Sequence, residues 1–144
     1  NGGDIMAGES TLRRYIAGKL KKFGQVSQIE SGATSAGIPD TLIFDQWTNR
    51  DIWVELKHVS PKKKFELRIT QVAWIRRRIR NGGHVFLLLK LEGGTTTYCL
   101  IKVDSETKLN KLNESQNALS WALLSNAEWE KTIPDDELIR ELRK

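Results

Sequence analysis

Two acids and a lysine lie on two apolar segments joined by a short polar stretch. Asp40 opens the first segment (41–45), and Glu55 and Lys57 lie in the second (52–57). Apolar runs flanking a polar turn predict a β-hairpin. Because side chains alternate along a strand, Glu55 and Lys57 share one face, and the other face belongs to the core.

An antiparallel hairpin would bring the carboxylate of Asp40 close to that of Glu55. Charge on an apolar strand is costly unless it is paired or bound to a metal. Two carboxylates, a main-chain carbonyl and waters make a typical Mg²⁺ site. A neighbouring lysine can orient a water molecule or stabilise charge on a phosphate. A Glu55–Lys57 ion pair on an exposed strand is the purely structural alternative.

Composition predicts one domain with a basic surface. The chain has 144 residues and a net charge of +5, which favours a polyanionic partner. The single Cys99 excludes an internal disulfide, and two histidines are too few for a Cys/His zinc set. We expect a reducing, cytoplasmic location in a bacterial or phage setting, no membrane partner, and residues 1–5 as an expression remnant before Met6.

The N-terminal part predicts a helix over residues 9–23, followed by a strand over 25–30. Glu9 heads the apolar stripe of this helix. It is either a favourable charge at a helix N-terminus or an additional carboxylate at the metal site. The small-residue loop before Gly37, including Thr34 and Ser35, is either a phosphate-contacting loop or a connector.

A second helix is predicted over residues 67–81, with an apolar stripe on one side. Gln71, Trp74 and Arg78 share another face. The stripe consists of Ile69, Val72, Ala73, Ile75 and Ile79. Helix-end electrostatics alone would not require four arginines in five residues, so we expect DNA contacts from Arg77 and Arg78 and, in the preceding loop, from Lys62, Lys63 and Lys64.

Arg76 lies near the apolar stripe of this helix. We therefore expect its aliphatic stem to be packed and its head to pair with an acid. The continuous apolar run in residues 84–91 predicts a strand buried on both faces, which forms a hairpin with 95–103. The remainder is predicted to be helical, over 115–125 and from Pro134 onward.

These motifs resemble the PD-(D/E)xK nuclease superfamily, and more narrowly its VRR-Nuc branch. The resemblance covers about residues 9–91. It rests on Glu9, Gly37-Ile38-Pro39-Asp40, Glu55-Leu56-Lys57, Gln71 with Trp74, and Gly82-Gly83 before Val85. It implies an α/β fold: a restriction-endonuclease-like core with a mixed sheet flanked by helices, in α-β-β-β-α-β order. Residues 95–144 would be a C-terminal β/α extension of this single domain.

The resemblance also implies roles for the site residues. Asp40, Glu55 and the Leu56 carbonyl would bind Mg²⁺ or Mn²⁺, and Glu9 would be an auxiliary metal or water ligand. Lys57 would position the attacking water or stabilise the phosphate, and Gln71 would hold Lys57 or that water. Stand-alone relatives similar to Holliday-junction resolvases imply a homodimer whose paired sites cut branched DNA.

The sequence thus favours a metal-dependent endodeoxyribonuclease acting on branched or structured DNA. The first alternative is a non-catalytic nucleic-acid-binding module on the same fold, carried by the arginines and lysines. The second is a structural protein in which Glu55 and Lys57 form an ion pair.

Overall fold

A computed structural model describes residues 7–29, 36–60, 66–115 and 117–144. It contains one mixed sheet of six strands with helices on both faces. The elements in chain order are α1 (Ala7–Leu20), β1 (Gly24–Gln28), β2 (Thr41–Asp45), β3 (Arg50–Val59), α2 (Ile69–Arg80), β4 (His84–Leu91), β5 (Thr97–Lys102), α3 (Glu106–Glu114), α4 (Ala118–Ala122), β6 (Ala127–Glu130) and α5 (Asp135–Leu142).

The strands lie in the sheet in their order along the chain, from β1 to β6. Every neighbouring pair is antiparallel except β3 and β4, which are parallel and joined through α2. A parallel pair needs such a crossover connection, and α2 therefore lies across the face of the sheet. The run from Val85 to Leu89 is almost inaccessible to solvent, as its unbroken apolar pattern predicts.

Two apolar cores lie on opposite sides of the sheet. On one side α1 and α5 cover residues such as Ile52, Val54 and Leu56 of β3. On the other side α2, α3 and α4 cover Val85, Leu87 and Leu89 of β4. The fold-class prediction is confirmed: a mixed sheet flanked by helices begins in α-β-β-β-α-β order, and further strands and helices follow.

Some local predictions are wrong. Ile69 is 89% exposed, and Ala73 is exposed as well, so neither belongs to the core stripe of α2. Ile69, the first residue of the helix, lies off the side of α2 that buries Val72 and Ile75. The helix expected over 115–125 is shorter, at Ala118–Ala122, and both α3 and β6 were missed.

As expected, Arg76 pairs with an acid, Glu106 of α3, at 3.3 Å. Cys99 is buried in β5. Within the described ranges, no helix is long and apolar enough to cross a membrane. The division into a core and an extension within one domain stays a prediction.

Candidate active site

The register between β2 and β3 brings the two acidic residues together. Thr41 lies opposite Val54, so Asp40, just before β2, comes beside Glu55. The main-chain N–H of Asp40 donates to Oε1 of Glu55 at 3.2 Å. In return, the main-chain N–H of Leu56 donates to Oδ1 of Asp40 at 3.3 Å. Each carboxylate is thus tied to the backbone of the other strand.

A close backbone contact places the segment before Asp40 against helix α2. Gly37 has φ of 97°, a conformation that side-chain-bearing residues rarely adopt. A Cβ atom added to Gly37 would collide with the main-chain carbonyl of Thr70 in the first turn of α2. Only glycine allows this approach, which explains physically why a glycine stands in the Gly-Ile-Pro-Asp segment.

Gln71 of α2 links the start of the helix to Glu55. Its side-chain oxygen accepts from the main-chain N–H of Arg68 at 2.9 Å, which caps the helix. Its amide nitrogen donates to Oε2 of Glu55 at 2.8 Å. Because the cap occupies the oxygen, the amide orientation is fixed and the N–H₂ group must face Glu55. The side chain is 2% exposed, so this contact is shielded from water.

Two cations face the pair of acids. The ammonium of Lys57 lies 3.5 Å from Oε2 of Glu55, on the same face of β3. The guanidinium of Arg13, from helix α1, lies 3.8 Å from Oδ2 of Asp40. Both separations are long for ion pairs with direct hydrogen bonds, for which about 2.7–2.9 Å is usual. The two cations therefore offset part of the negative charge but leave carboxylate oxygens able to bind another cation.

Burial makes Asp40 difficult to ionise. Loss of solvent and, next, the nearby charge of Glu55 raise the pKa of Asp40 to about 7. Arg13, the Thr41 hydroxyl and the Leu56 N–H oppose this increase but do not cancel it. At neutral pH the site therefore holds a carboxyl group that another positive charge would readily ionise.

The donor set fits a hard divalent cation. Asp40 and Glu55 offer carboxylate oxygens, and Oδ2 of Asp40 has only the long contact to Arg13 among the described residues. The described ranges contain no group of three or more His, Cys, Asp or Glu side chains arranged to hold a metal. Mg²⁺ is usually bound by one or two carboxylates and keeps several waters, so two are sufficient.

The chain is similar in fold to an archaeal resolvase. The similar structure is that of Archaeoglobus fulgidus Hjc, a Holliday junction resolvase from an archaeal hyperthermophile. The two chains superpose with a TM-score of 0.54 and 13% sequence identity, over 85% of this chain and 91% of that one. No family model and no curated protein sequence matches the chain. At this identity the likeness shows the fold.

The other predicted site residues are placed differently. Glu9 lies in the first turn of α1, but it does not join Asp40 and Glu55 in a three-carboxylate group. The resemblance implied that Gln71 holds Lys57 or a water molecule, whereas in the structure it bonds to Glu55. The remaining loop residues lie outside the described residues: Thr34, Ser35, Lys62, Lys63 and Lys64.

Arg77 and Arg78 lie in the last turn of α2, at the opposite end of the helix from Gln71. Arg78 stacks over Trp74 and Trp53, with its guanidinium carbon 4.8 and 5.4 Å from the two ring centroids. Sequence reasoning placed Trp74 and Arg78 on one face but did not include Trp53 in that group. Strand alternation, which puts Trp53 on the face of Glu55, was the available signal.

Arg13 is the site residue that sequence reasoning missed. It follows Glu9 by one helical turn, so the two share a face of α1. The spacing of Glu9 and Arg13 places both on one face of α1. Whether that face reaches Asp40 depends on how α1 docks against β3, which no local pattern specifies.

Proposed function

We propose that this protein is a metal-dependent endodeoxyribonuclease that hydrolyses phosphodiester bonds in branched or structured DNA, such as Holliday junctions. One observation carries the proposal: Asp40, Glu55, Lys57 and Gln71 converge on one largely buried site. The likeness of the fold to a Holliday junction resolvase supports the choice of substrate. The basic net charge of +5 is compatible with a DNA partner.

Asp40 and Glu55, with the Leu56 carbonyl, would hold Mg²⁺ or Mn²⁺. A bound ion of this kind would polarise a phosphoryl oxygen and lower the pKa of a water molecule. Gln71 keeps the Glu55 carboxylate in one orientation through its 2.8 Å hydrogen bond. A fixed ligand of this kind lowers the reorganisation needed when substrate arrives.

Lys57 would act on the phosphate or on the attacking water. Its ammonium is 3.5 Å from Glu55, so it lies at the site but forms no short ion pair and can still contact a phosphate or a water molecule. A cation in this position favours the negative charge that develops on the phosphate oxygens during hydrolysis. Arg13 would serve as a positioning residue that limits the repulsion between Asp40 and Glu55.

Three finer assignments belong to the same proposal. Membership of the VRR-Nuc branch rests on the sequence motifs alone. A homodimer is proposed because two sites related by a two-fold axis can cut two strands of a symmetric junction. Sedimentation of the protein with and without junction DNA would test this stoichiometry. Cytoplasmic location stays a prediction from the sequence.

The test is a cleavage assay on four labelled DNAs: linear duplex, single strand, flap and four-way junction. Each is incubated with Mg²⁺, with Mn²⁺ or with a chelator. The variants are Asp40→Asn, Glu55→Gln and Lys57→Met. Glu141→Gln and Lys144→Met are matched controls, because these two residues pair with each other at 2.7 Å at the C-terminal end of α5, and neither forms a hydrogen bond or ion pair with the acidic pair within the described residues.

We expect metal-dependent cutting, strongest on the junction, that is lost in the three site variants and kept in the two controls. Removing a group that acts in the transition state typically reduces the rate by about 10²-fold or more. If the site variants cut as the wild type does, the assignment of these residues is wrong. Salt-sensitive binding to all four DNAs without cutting under either metal would instead favour the non-catalytic binding module.

A further inference from the structure

A cavity separate from the acidic site lies on the face of the sheet that α2 covers, at the far end of α2 from Gln71. It has a volume of about 570 Å³ and lies between the start of β3 and the end of α2. Binding pockets for organic ligands typically enclose about 300–1,000 Å³. Trp53 and Glu55 are two residues apart on one face of β3, so the cavity begins about 7 Å along the strand from the acidic pair.

Two indole rings form one wall of this cavity. Trp53 and Trp74 contact each other edge to face, with centroids 5.0 Å apart, and both line the cavity. The indole N–H of Trp53 is buried and has no hydrogen-bond acceptor within the described ranges. An unsatisfied buried donor is uncommon in folded proteins. Arg78 lies over both rings, with its guanidinium carbon 4.8 Å from the Trp74 centroid and 5.4 Å from the Trp53 centroid, so the wall combines two indoles with a guanidinium group.

The arginines of α2 fall into two groups. Arg76 and Arg80 both pair with Glu106 of α3, at 3.3 and 2.6 Å. Arg77 and Arg78 line the cavity instead, and neither has a carboxylate within ion-pair distance in the described part of the chain. The positive charge left uncompensated on this helix is thus directed to the cavity.

The other charged groups of the cavity leave it positive. Arg50 lines it, with its guanidinium held by the main-chain carbonyl of Arg143 at 2.7 Å and by the His84 ring at 3.3 Å. Asp51 supplies one negative charge. Burial and then the charge of Arg50 lower the pKa of His84, so this histidine is neutral at pH 7. Three arginines against one aspartate favour an anionic ligand.

We infer that this cavity binds a nucleotide whose base is unpaired, with the base against the wall of two indoles and the Arg78 guanidinium, and its phosphate against Arg77. Indole surfaces bind bases of any sequence by stacking, and arginine binds phosphate. A bare phosphate would leave the aromatic wall unused, and a cationic ligand is opposed by the three arginines. The cavity begins about 7 Å along β3 from Glu55, close enough for one DNA strand to reach both.

This inference rests on the proposed function for its biological meaning, because an unpaired nucleotide near the scissile phosphate is a feature of branched or opened DNA. A site of this kind would distinguish fully paired DNA from DNA in which one base lies outside the stack. Extruding a base costs least where that base is already unpaired, which provides the selectivity.

Binding in the presence of a chelator tests the inference without any cleavage. The probes are a fully paired duplex, the same duplex with one extra unpaired 2-aminopurine nucleotide, and free 2-aminopurine deoxynucleoside monophosphate. Trp74→Leu removes the aromatic wall and keeps apolar volume. Arg77→Ala removes a cavity charge, and Arg80→Ala removes one charge from the same helix outside the cavity.

We expect the wild type to bind the duplex with the unpaired base about tenfold more tightly than the paired duplex, with a change in 2-aminopurine fluorescence. Arg77→Ala and Trp74→Leu should reduce this ratio severalfold, whereas Arg80→Ala should weaken binding to both duplexes equally. Competition by the free monophosphate would show whether the nucleotide must belong to a strand. If Trp74→Leu does not fold, the Arg77 and Arg80 pair still decides.

An equal affinity of the wild type for both duplexes would overturn the inference, as would an unchanged ratio in Arg77→Ala. The outcome is separable from that of the nuclease proposal. Metal-dependent cutting without preference for an unpaired base would leave the nuclease standing and remove the pocket. Tighter binding of the duplex with the unpaired base in the presence of the chelator, with no cutting under any metal, would support the pocket and refute the nuclease proposal.

Discussion

The raised pKa of Asp40 makes its charge a cost to the folded protein, and replacing this residue measures that cost. Asp40→Asn keeps an oxygen to accept from the Leu56 N–H, now bonded at 3.3 Å, and removes the negative charge. At alkaline pH and without metal, we expect the variant to be more stable than the wild type. It should also be inactive, which is an uncommon combination for a substitution at a buried polar residue.

The size of the effect follows from the two pKa values. Asp40 titrates near 7 in the folded chain, against an ordinary value of 3.8. Each unit of difference between the two pKa values corresponds to about 1.36 kcal/mol. The upper limit for the gain in folding stability is therefore about 4 kcal/mol. Relaxation around a charged site reduces such limits, and we expect a gain of about 2–4 kcal/mol. At roughly 4 °C per kcal/mol, the melting temperature should rise by about 8–16 °C.

The difference in stability between Asp40→Asn and the wild type depends on pH. Because the folded chain binds the proton of Asp40 more tightly than the unfolded chain does, the wild type loses stability as pH rises from about 4 to about 7. The variant has no such group, so the gap in stability between the two proteins should be near zero at pH 4 and full at pH 8. A divalent cation favours ionised Asp40. Mg²⁺ should therefore stabilise the wild type at pH 8 and have little effect on the variant.

Urea unfolding at pH 4, 6 and 8, with a chelator and then with Mg²⁺, measures these differences. Asp51→Asn is the matched control, since Asp51 is an exposed acid on the same strand as Glu55, and its replacement should give no comparable pH-dependent gap. If Asp40→Asn is no more stable than the wild type at pH 8, burial and the charge of Glu55 do not destabilise the ionised site. The electrostatic account of the site would then be wrong.

Two further predictions concern residues that support the site from outside it. Gly37→Ala should destabilise the fold by more than 2 kcal/mol in thermal melts and reduce cleavage, because its Cβ would displace the start of α2. Gly18→Ala is the control, since Gly18 has open space around it, and it should be neutral or slightly stabilising in the same melts. Arg143→Ala should cost about 3 kcal/mol, because it leaves the fully buried Asp45 carboxylate without its 2.9 Å partner. A loss in urea unfolding no larger than that of Arg140→Ala, an exposed arginine of α5, would contradict this.

The acidic pair could be predicted from sequence because strand physics alone determines it. A hairpin and the alternation of side chains suffice to bring Asp40 beside Glu55, and the structure has them joined through backbone N–H groups. The pairing of Arg76 with an acid could also be predicted, since helical spacing placed its stem near the apolar stripe. The neighbours of the acidic pair lie on two adjacent strands, whereas the acid that pairs with Arg76 lies on α3 and could not be named from the sequence.

Contacts that depend on docking one layer onto another could not be predicted in this way. Arg13 reaches Asp40 because α1 packs on the opposite face of the sheet from α2, and Trp53 meets Trp74 because of the position of α2 over β3. The strand β6 was missed for a related reason, whereas the Ser105 cap and the buried Leu109 and Leu112 were an available signal for α3. The strand β6 has only four residues and lies at the edge of the sheet, where it pairs with β5 alone.

The geometry also bears on the structural alternative, in which Glu55 and Lys57 are merely an ion pair. Such a pair would be expected to make a short, direct contact, but the 3.5 Å separation is the longest of the polar contacts that Glu55 makes. The shorter ones come from neutral donors, the Asp40 N–H and the Gln71 amide, which orient a carboxylate without neutralising it. A second acid, largely buried and with its pKa raised, then lies beside it. The 3.8 Å contact with Arg13 does not cancel the rise in the pKa of Asp40, whereas a bound divalent cation would offset both negative charges at once.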